Sequence, residues 1–150
     1  MRAAIAEAEG GLRSGRGGPF GCVIVRRGEI VARGQNRVTS TNDPTAHAEI
    51  TAIREASVRL HTFRLDDCEL YASCEPCPMC LGAIYWARIP RVFFGCTRED
   101  AAAIGFADDD IYRQLALPPG QRTIPMQPLL RAEALGVLAA WQAKADKIRY

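Results

Sequence analysis

The spacing of apolar positions changes several times along this chain, and each change marks an element. Residues 1–13 are alanine-rich with apolar positions at helical spacing, and Gly15-Arg16-Gly17-Gly18-Pro19 stops the run. Two apolar stretches, 20–25 and 30–32, flank Arg26-Arg27-Gly28-Glu29 and predict a β-hairpin. Ala46, Ile50, Ile53 and Ser57 then recur at helical spacing. Before them, Asn42-Asp43-Pro44-Thr45 offers capping residues and a proline suited to a first turn. Residues 69–73 read as a short strand, 79–87 as an apolar helix and 91–96 as another strand. A short helix is expected over 109–115. A last strand over 125–130 is pushed towards a sheet edge by its prolines. An amphipathic helix over 132–147 runs through Leu135, Leu138 and Trp141. Strands alternating with helices predict a layered α/β domain.

Composition narrows the class without naming a function. The 150 residues fit a single domain, 1–150, long enough to bury its own core. Hydrophobic and charged fractions of 48% and 24% are those of an ordinary globular protein. No apolar run approaches the roughly 20 residues of a membrane helix. The first residues carry Glu7 and no continuous apolar core, so no signal peptide is expected and the expected location is cytoplasmic. The net charge is +2, and the basic residues, nearly all arginine, are scattered singly or in pairs. No basic stripe is present, so neither nucleic acid nor membrane is an expected partner. In a reducing compartment Cys22, Cys68 and Cys96, each alone in an apolar stretch, are expected to be small buried hydrophobes.

The other three cysteines lie together in Cys74-Glu75-Pro76-Cys77-Pro78-Met79-Cys80, where CxxC occurs twice and overlaps itself. CxxC alone serves both redox and zinc sites. The deciding partner is Thr45-Ala46-His47-Ala48-Glu49: His-x-Glu at one helix start and Pro-Cys-x-x-Cys at the next form the zinc nucleobase deaminase signature. His47, Cys77 and Cys80 are the candidate Zn²⁺ ligands, and three protein ligands leave a fourth position open for catalysis. Cys77 and Cys80 share a helix face, where the helix dipole favours thiolates. Cys74 lies before Pro76, at the end of the strand and one turn too early, and is the spare thiol. Glu49, the candidate proton carrier, can converge with His47 only in a first helical turn. The competing non-enzymatic reading is a structural zinc module that adds Cys74 as fourth ligand. It leaves Glu49 without a role, and a chain of this length needs no metal staple. A redox CxxC leaves both His47 and Glu49 unused.

These motifs, together with Gly17-Gly18-Pro19-Phe20-Gly21-Cys22-Val23-Ile24-Val25, the run from Cys74 to Arg88, Gly105-Phe106-Ala107-Asp108-Asp109-Asp110-Ile111-Tyr112 and Arg122-Thr123-Ile124-Pro125, resemble the bacterial guanine deaminases. These enzymes belong to the cytidine deaminase-like superfamily. The resemblance runs nearly end to end. It implies a three-layer α/β/α fold with a five-stranded mixed sheet, and hydrolysis of guanine to xanthine and ammonia. It also implies a homodimer that exchanges C-terminal segments, about 132–150.

Guanine presents an N1–H donor beside the reacting carbon, which favours an anionic acceptor in the pocket. Asp108 is the candidate, with Asp109 and Asp110 left as a solvated helix start. Asn36, at the end of the second strand, can both donate to and accept from a base edge, or serve as a turn residue. Phe20 and Trp86 are candidate stacking partners, against the ordinary reading of both as core. Ala48 is assigned to the substrate site by the resemblance. Tyr150 ends a tail expected to fold over an active site. Ammeline, guanosine and, more distantly, cytosine remain alternative substrates.

Overall fold

The structure, a computed structural model, describes residues 1–149. The chain divides into two compact units, Met1–Asp110 and the remainder from Ile111. The first opens with helix α1 (Arg2–Arg13), followed by the hairpin β1 (Gly21–Arg26) and β2 (Glu29–Gln35). Arg27 and Gly28 both have positive φ, 52° and 83°, as a two-residue I′ turn requires. A single turn α2 (Val38–Thr41) leads to α3 (Ala48–Leu60), β3 (Cys68–Cys74), α4 (Pro78–Trp86), β4 (Arg91–Cys96) and α5 (Arg98–Ala103). Neither α2 nor α5 is announced by periodicity. The latter is set by a capping box, in which Thr97 and Asp100 satisfy each other's backbone N–H groups.

The sheet order is β2-β1-β3-β4, with β1 antiparallel to both neighbours and β3 parallel to β4. Neighbouring residues of β2 show how the layers form. Gln35 lies against Gly10 and Gly11 of α1, whereas Gly34 lies against Ala48 and Ala52 of α3. Successive side chains of a strand point to opposite faces, so α1 and α3 cover opposite sides of the sheet. The α3 face carries the main core: Cys22, Ile24, Leu65, Cys68, Leu70 and Ile84, with small residues of α3 packed between them.

Several expectations are corrected. Four strands are present among the described residues rather than five. Residues 125–130 form no strand, because Pro125 and Pro128 have no N–H to give a ladder. The third helix starts at Ala48, later than its capping signals suggest. Asp43 Oδ1 accepts from the Thr45 N–H at 2.8 Å and from its hydroxyl at 2.6 Å, closing a local turn ahead of the helix. Cys22 and Cys68 are buried, but Cys96 is exposed because β4 is an edge strand.

In the second unit, α6 (Asp109–Ala116, beginning two residues before the unit boundary) leads through a 3-10 turn (Pro119–Gln121) to α7 (Arg131–Ala143). Gln114 Oε1 accepts from the Thr123 N–H at 2.8 Å and ties the loop back to α6. The last helix ends four residues before the expected 147, where Lys144 turns out of helical backbone. The Lys147 ammonium then donates to the carbonyls of Gln142 and Lys144, at 2.7 and 3.0 Å. No helix among the described residues is long and apolar enough to cross a membrane.

A Cβ on Gly34 would fall on the Ala48 carbonyl at the start of α3. Gly34→Ala is therefore expected to cost about 1–3 kcal/mol, as overpacking does. At about 2–4 °C per kcal/mol for a chain of this size, thermal denaturation should show a fall of several degrees. An unchanged melting temperature would show that the helix yields freely at this contact.

Candidate active site

Two helices begin at the same place. His47 is the N-cap of α3 and Cys77 the N-cap of α4, both in extended backbone with ψ of 159° and 168°. Pro78 follows Cys77 at the first helical position, where its missing N–H costs nothing. Cys80 lies one turn into α4 and is fully buried. The His47 imidazole and the two thiols each offer a ligand atom within 4.8 Å of the others. A tetrahedral zinc with bonds of about 2.0–2.1 Å to nitrogen and about 2.3 Å to sulfur holds such ligands about 3.6 Å apart. His47 Nδ1 lies 3.5 Å from Sγ of Cys77 and 3.5 Å from Sγ of Cys80. The donor set fits zinc.

The electrostatics of the two thiols differ sharply. A hydrogen bond from Cys80, with His47 adding to it, holds Cys77 down to about 4 against the opposing effect of burial. Cys80 is pushed far up by that same hydrogen bond to Cys77, by burial and by Glu49. Its thiol also donates to Glu49 Oε2 at 3.4 Å. The hydrogen bond with Cys77 raises His47, with burial opposing it. Glu49 is 7% exposed, and burial raises its carboxyl. Cys74 stands apart from this group: its Sγ donates to the Thr97 carbonyl at 3.4 Å, and burial lifts its thiol to about 11.

A cavity of about 480 Å³ opens over these groups, a size suited to a small ligand. His47, Glu49, Cys77, Asn36, Phe20 and Asp108 all line it. Asp108 is half-buried and its carboxyl is raised by desolvation, whereas Asp109 and Asp110 are exposed in the first turn of α6.

Residues 1–96 match the family model described as "Cytidine and deoxycytidylate deaminase zinc-binding region". The chain belongs to this family. Among curated deaminases of the family, guanine deaminase of Bacillus subtilis (strain 168) is 52% identical over 150 residues, covering 100% of this chain and 96% of the relative. The X-ray structure of guanine deaminase from Bacillus subtilis superposes with a TM-score of 0.96, at 52% identity, covering 99% of this chain and 95% of that one. A guanine deaminase structure from Nitrosomonas europaea gives a TM-score of 0.67 at 29% identity, over 89% of this chain and 68% of that one. The tRNA-specific adenosine deaminase of Aquifex aeolicus is 45% identical over only 94 residues, 63% of this chain and 62% of that protein.

Not every sequence-derived candidate of this deaminase reaches the cavity. Ala48 is buried at the start of α3 and Trp86, at the end of α4, is 68% exposed; neither lines the cavity. Tyr150 lies outside the described residues. Other residues line the cavity without having been singled out: Ser73, Glu75, Arg98 and Phe106 among them. Phe106 meets Phe20 edge to face, with ring centroids 4.9 Å apart. Its advance signs are its place in the Gly105–Tyr112 segment that carries the resemblance and its position next to Gly105, which has φ of 92°.

This geometry predicts how metal content responds to each thiol. Cys77→Ser should lower zinc well below one per chain, and Cys74→Ser should leave it intact. Elemental analysis of the purified variants checks both, and zinc lost with Cys74→Ser would overturn the choice of ligands.

Proposed function

We propose that this chain catalyses the zinc-dependent hydrolysis of guanine to xanthine and ammonia. The observation that carries the reading is similarity to a guanine deaminase over all 150 residues, well past residue 96 where the family model ends. Matches to tRNA-specific adenosine deaminases cover 63% to 77% of the chain, at 45% and 41% identity, and no basic stripe supports a nucleic-acid partner.

His47, Cys77 and Cys80 are the proposed zinc ligands. Bound there, zinc acidifies the water that the hydrolysis consumes. Glu49 is the proposed proton carrier. Its carboxylate would take one proton from that water and give it to the ring nitrogen beside C2 as the oxygen bonds to C2, then take the remaining hydroxyl proton and give it to the amine, which departs as ammonia while C2 becomes a carbonyl. A carboxyl raised by burial suits a group that must both accept and release a proton. Asp108 is the proposed acceptor for the N1–H of guanine, and Phe20 the proposed stacking surface, held by Phe106. Adenine and cytosine offer a bare ring nitrogen there. A pocket that leaves a buried polar group unpaired rejects such analogues by about 10⁴–10⁵.

We also propose that the single domain is completed in a homodimer by exchange of the C-terminal segments. In support, no residue of α7 is buried, and Leu135, Leu138 and Trp141 are all at least 43% exposed. Such an apolar face needs a covering surface. Any contact of Trp86 or Tyr150 with a base is one that this assembly would supply.

Ammonia release measured against guanine, guanosine, ammeline, cytosine and adenine tests the reaction, with guanine expected to be turned over fastest. Glu49→Gln should keep the metal and lose about 10²–10⁴ in turnover, the usual worth of a positioned proton carrier. Asp108→Asn should cut guanine turnover severely while Asp109→Asn does not. The reverse order would move the acceptor to the helix start. Light scattering should give a dimer, and deleting the last five residues should raise KM and lower kcat with zinc retained. Full activity in the truncated chain would leave the tail without a catalytic role.

A further inference from the structure

We propose that the Gly17-Gly18 turn is a positioning element that fixes the polarity of the Asn36 amide, so that this wall of the cavity only donates hydrogen bonds. The proposal rests on reading the cavity as a base-binding site. Asn36 follows β2, is 5% exposed and lines the cavity. Its Oδ1 accepts from the Gly18 N–H at 3.1 Å and from the Val38 N–H at 3.3 Å. A carbonyl oxygen has two lone pairs, and both are thus engaged. Turning the amide over would set its NH₂ against two backbone donors in a nearly water-free place, a costly mismatch. The Nδ2 group donates to no protein group among the described residues, and it is the end of the side chain left for a ligand.

The backbone closes this arrangement into a ring. Asn36 N–H donates to the Phe20 carbonyl at 3.0 Å, and Phe20 N–H donates to the Gly18 carbonyl at 2.8 Å. The Gly18 N–H then returns to Asn36 Oδ1. One ring therefore ties the amide to the aromatic residue on the same cavity wall. From outside, the Arg16 carbonyl accepts from the Ser40 N–H and the Thr39 hydroxyl, each at 3.3 Å, pinning the turn against α2. Gly17 is the point of closest approach, where an added Cβ would fall on the Asn36 carbonyl and on Oδ1. Only a residue without a side chain lets the turn reach the amide.

A free asparagine amide reads donors and acceptors alike. Held this way, Asn36 favours a flat heterocycle that turns a carbonyl oxygen or an unprotonated ring nitrogen towards it, and disfavours one that presents an amino group. Asp108 lines the same cavity as the opposite kind of partner, an acceptor. Together they give the site a fixed donor and a carboxylate acceptor in one cavity.

A double-mutant cycle tests the clamp. Gly17→Ala in the zinc-loaded enzyme should cost about tenfold or more in kcat/KM for guanine, mostly through KM, with metal content unchanged. In an Asn36→Ala background, where the added carbon still meets the backbone carbonyl of residue 36 but no amide is left to misplace, the same change should cost clearly less than in the parent. Gly15→Ala, in the same loop, meets nothing within 4 Å but strains a backbone at φ +65°; it controls for loop strain alone and should not reproduce the KM effect. Additive losses, or equal losses from both glycines, would overturn the proposal. Amide hydrogen exchange gives an arm that needs no substrate. The Gly18 and Val38 N–H groups should be protected in the parent, unprotected in Asn36→Ala, and protected in Asn36→Asp, whose carboxylate still accepts from both. That Asp variant should nevertheless lose guanine affinity, since its second oxygen cannot donate; unchanged affinity rejects the donor wall. If the parent enzyme proves inactive on guanine, the proposed reaction fails, and exchange alone decides the clamp: protected amides uphold it and unprotected ones reject it.

Discussion

The meeting of two helix starts is the constraint on which the rest of this site depends. The N-termini of α3 and α4 bring their unpaired backbone N–H groups and positive dipole ends to one small volume, and such a place attracts anions. Burial works the other way on every charged group there. The outcome differs by residue. For Cys77 the hydrogen bond from Cys80 and the neighbouring His47 win, and the thiol is held near 4. For Glu49 desolvation wins, and the carboxyl rises. One environment thus yields a ready thiolate and a carboxyl that holds its proton more tightly, with the two residues on different helices.

That meeting is possible only because the scaffold is tightly drawn in. α3 lies so close to β2 that its first carbonyl occupies the space a side chain at position 34 would need. Residues of α3 facing the sheet are small, Ala48, Ala52 and Ala56 among them. α4 is anchored by Ile84 and by the backbone of Ala87, whose carbonyl accepts from the Leu65 N–H at 2.8 Å. Rigid elements on a sheet hold ligand geometry better than loops do.

Much of this was legible in the sequence, and the exceptions have definite causes. His-x-Glu and Pro-Cys-x-x-Cys are local patterns, and each fixes a helix entrance by itself. The hairpin, β3, β4 and the amphipathic α7 follow from periodicity. Residues such as Phe106, Arg98 and Ser73 come to the cavity only through tertiary folding, which no spacing rule encodes. Asn36 was legible as a polar residue at a strand end, but not the polarity of its amide, which depends on partners at 18 and forwards. The strand proposed over 125–130 failed because two prolines outweigh apolar content. α5 was missed because its start signal is a Thr97–Asp100 capping box without an apolar stripe behind it.

The family model ends at residue 96, the last residue of β4, while the first compact unit runs on to Asp110. Between those points lie α5 and the segment that carries Phe106 and Asp108. Metal-handling residues therefore fall wholly within the shared part, and this stretch of the cavity wall falls outside it. A fold divided in this way lets the fourteen residues after the shared core vary without touching the metal ligands, so that one hydrolytic chemistry can serve new substrates.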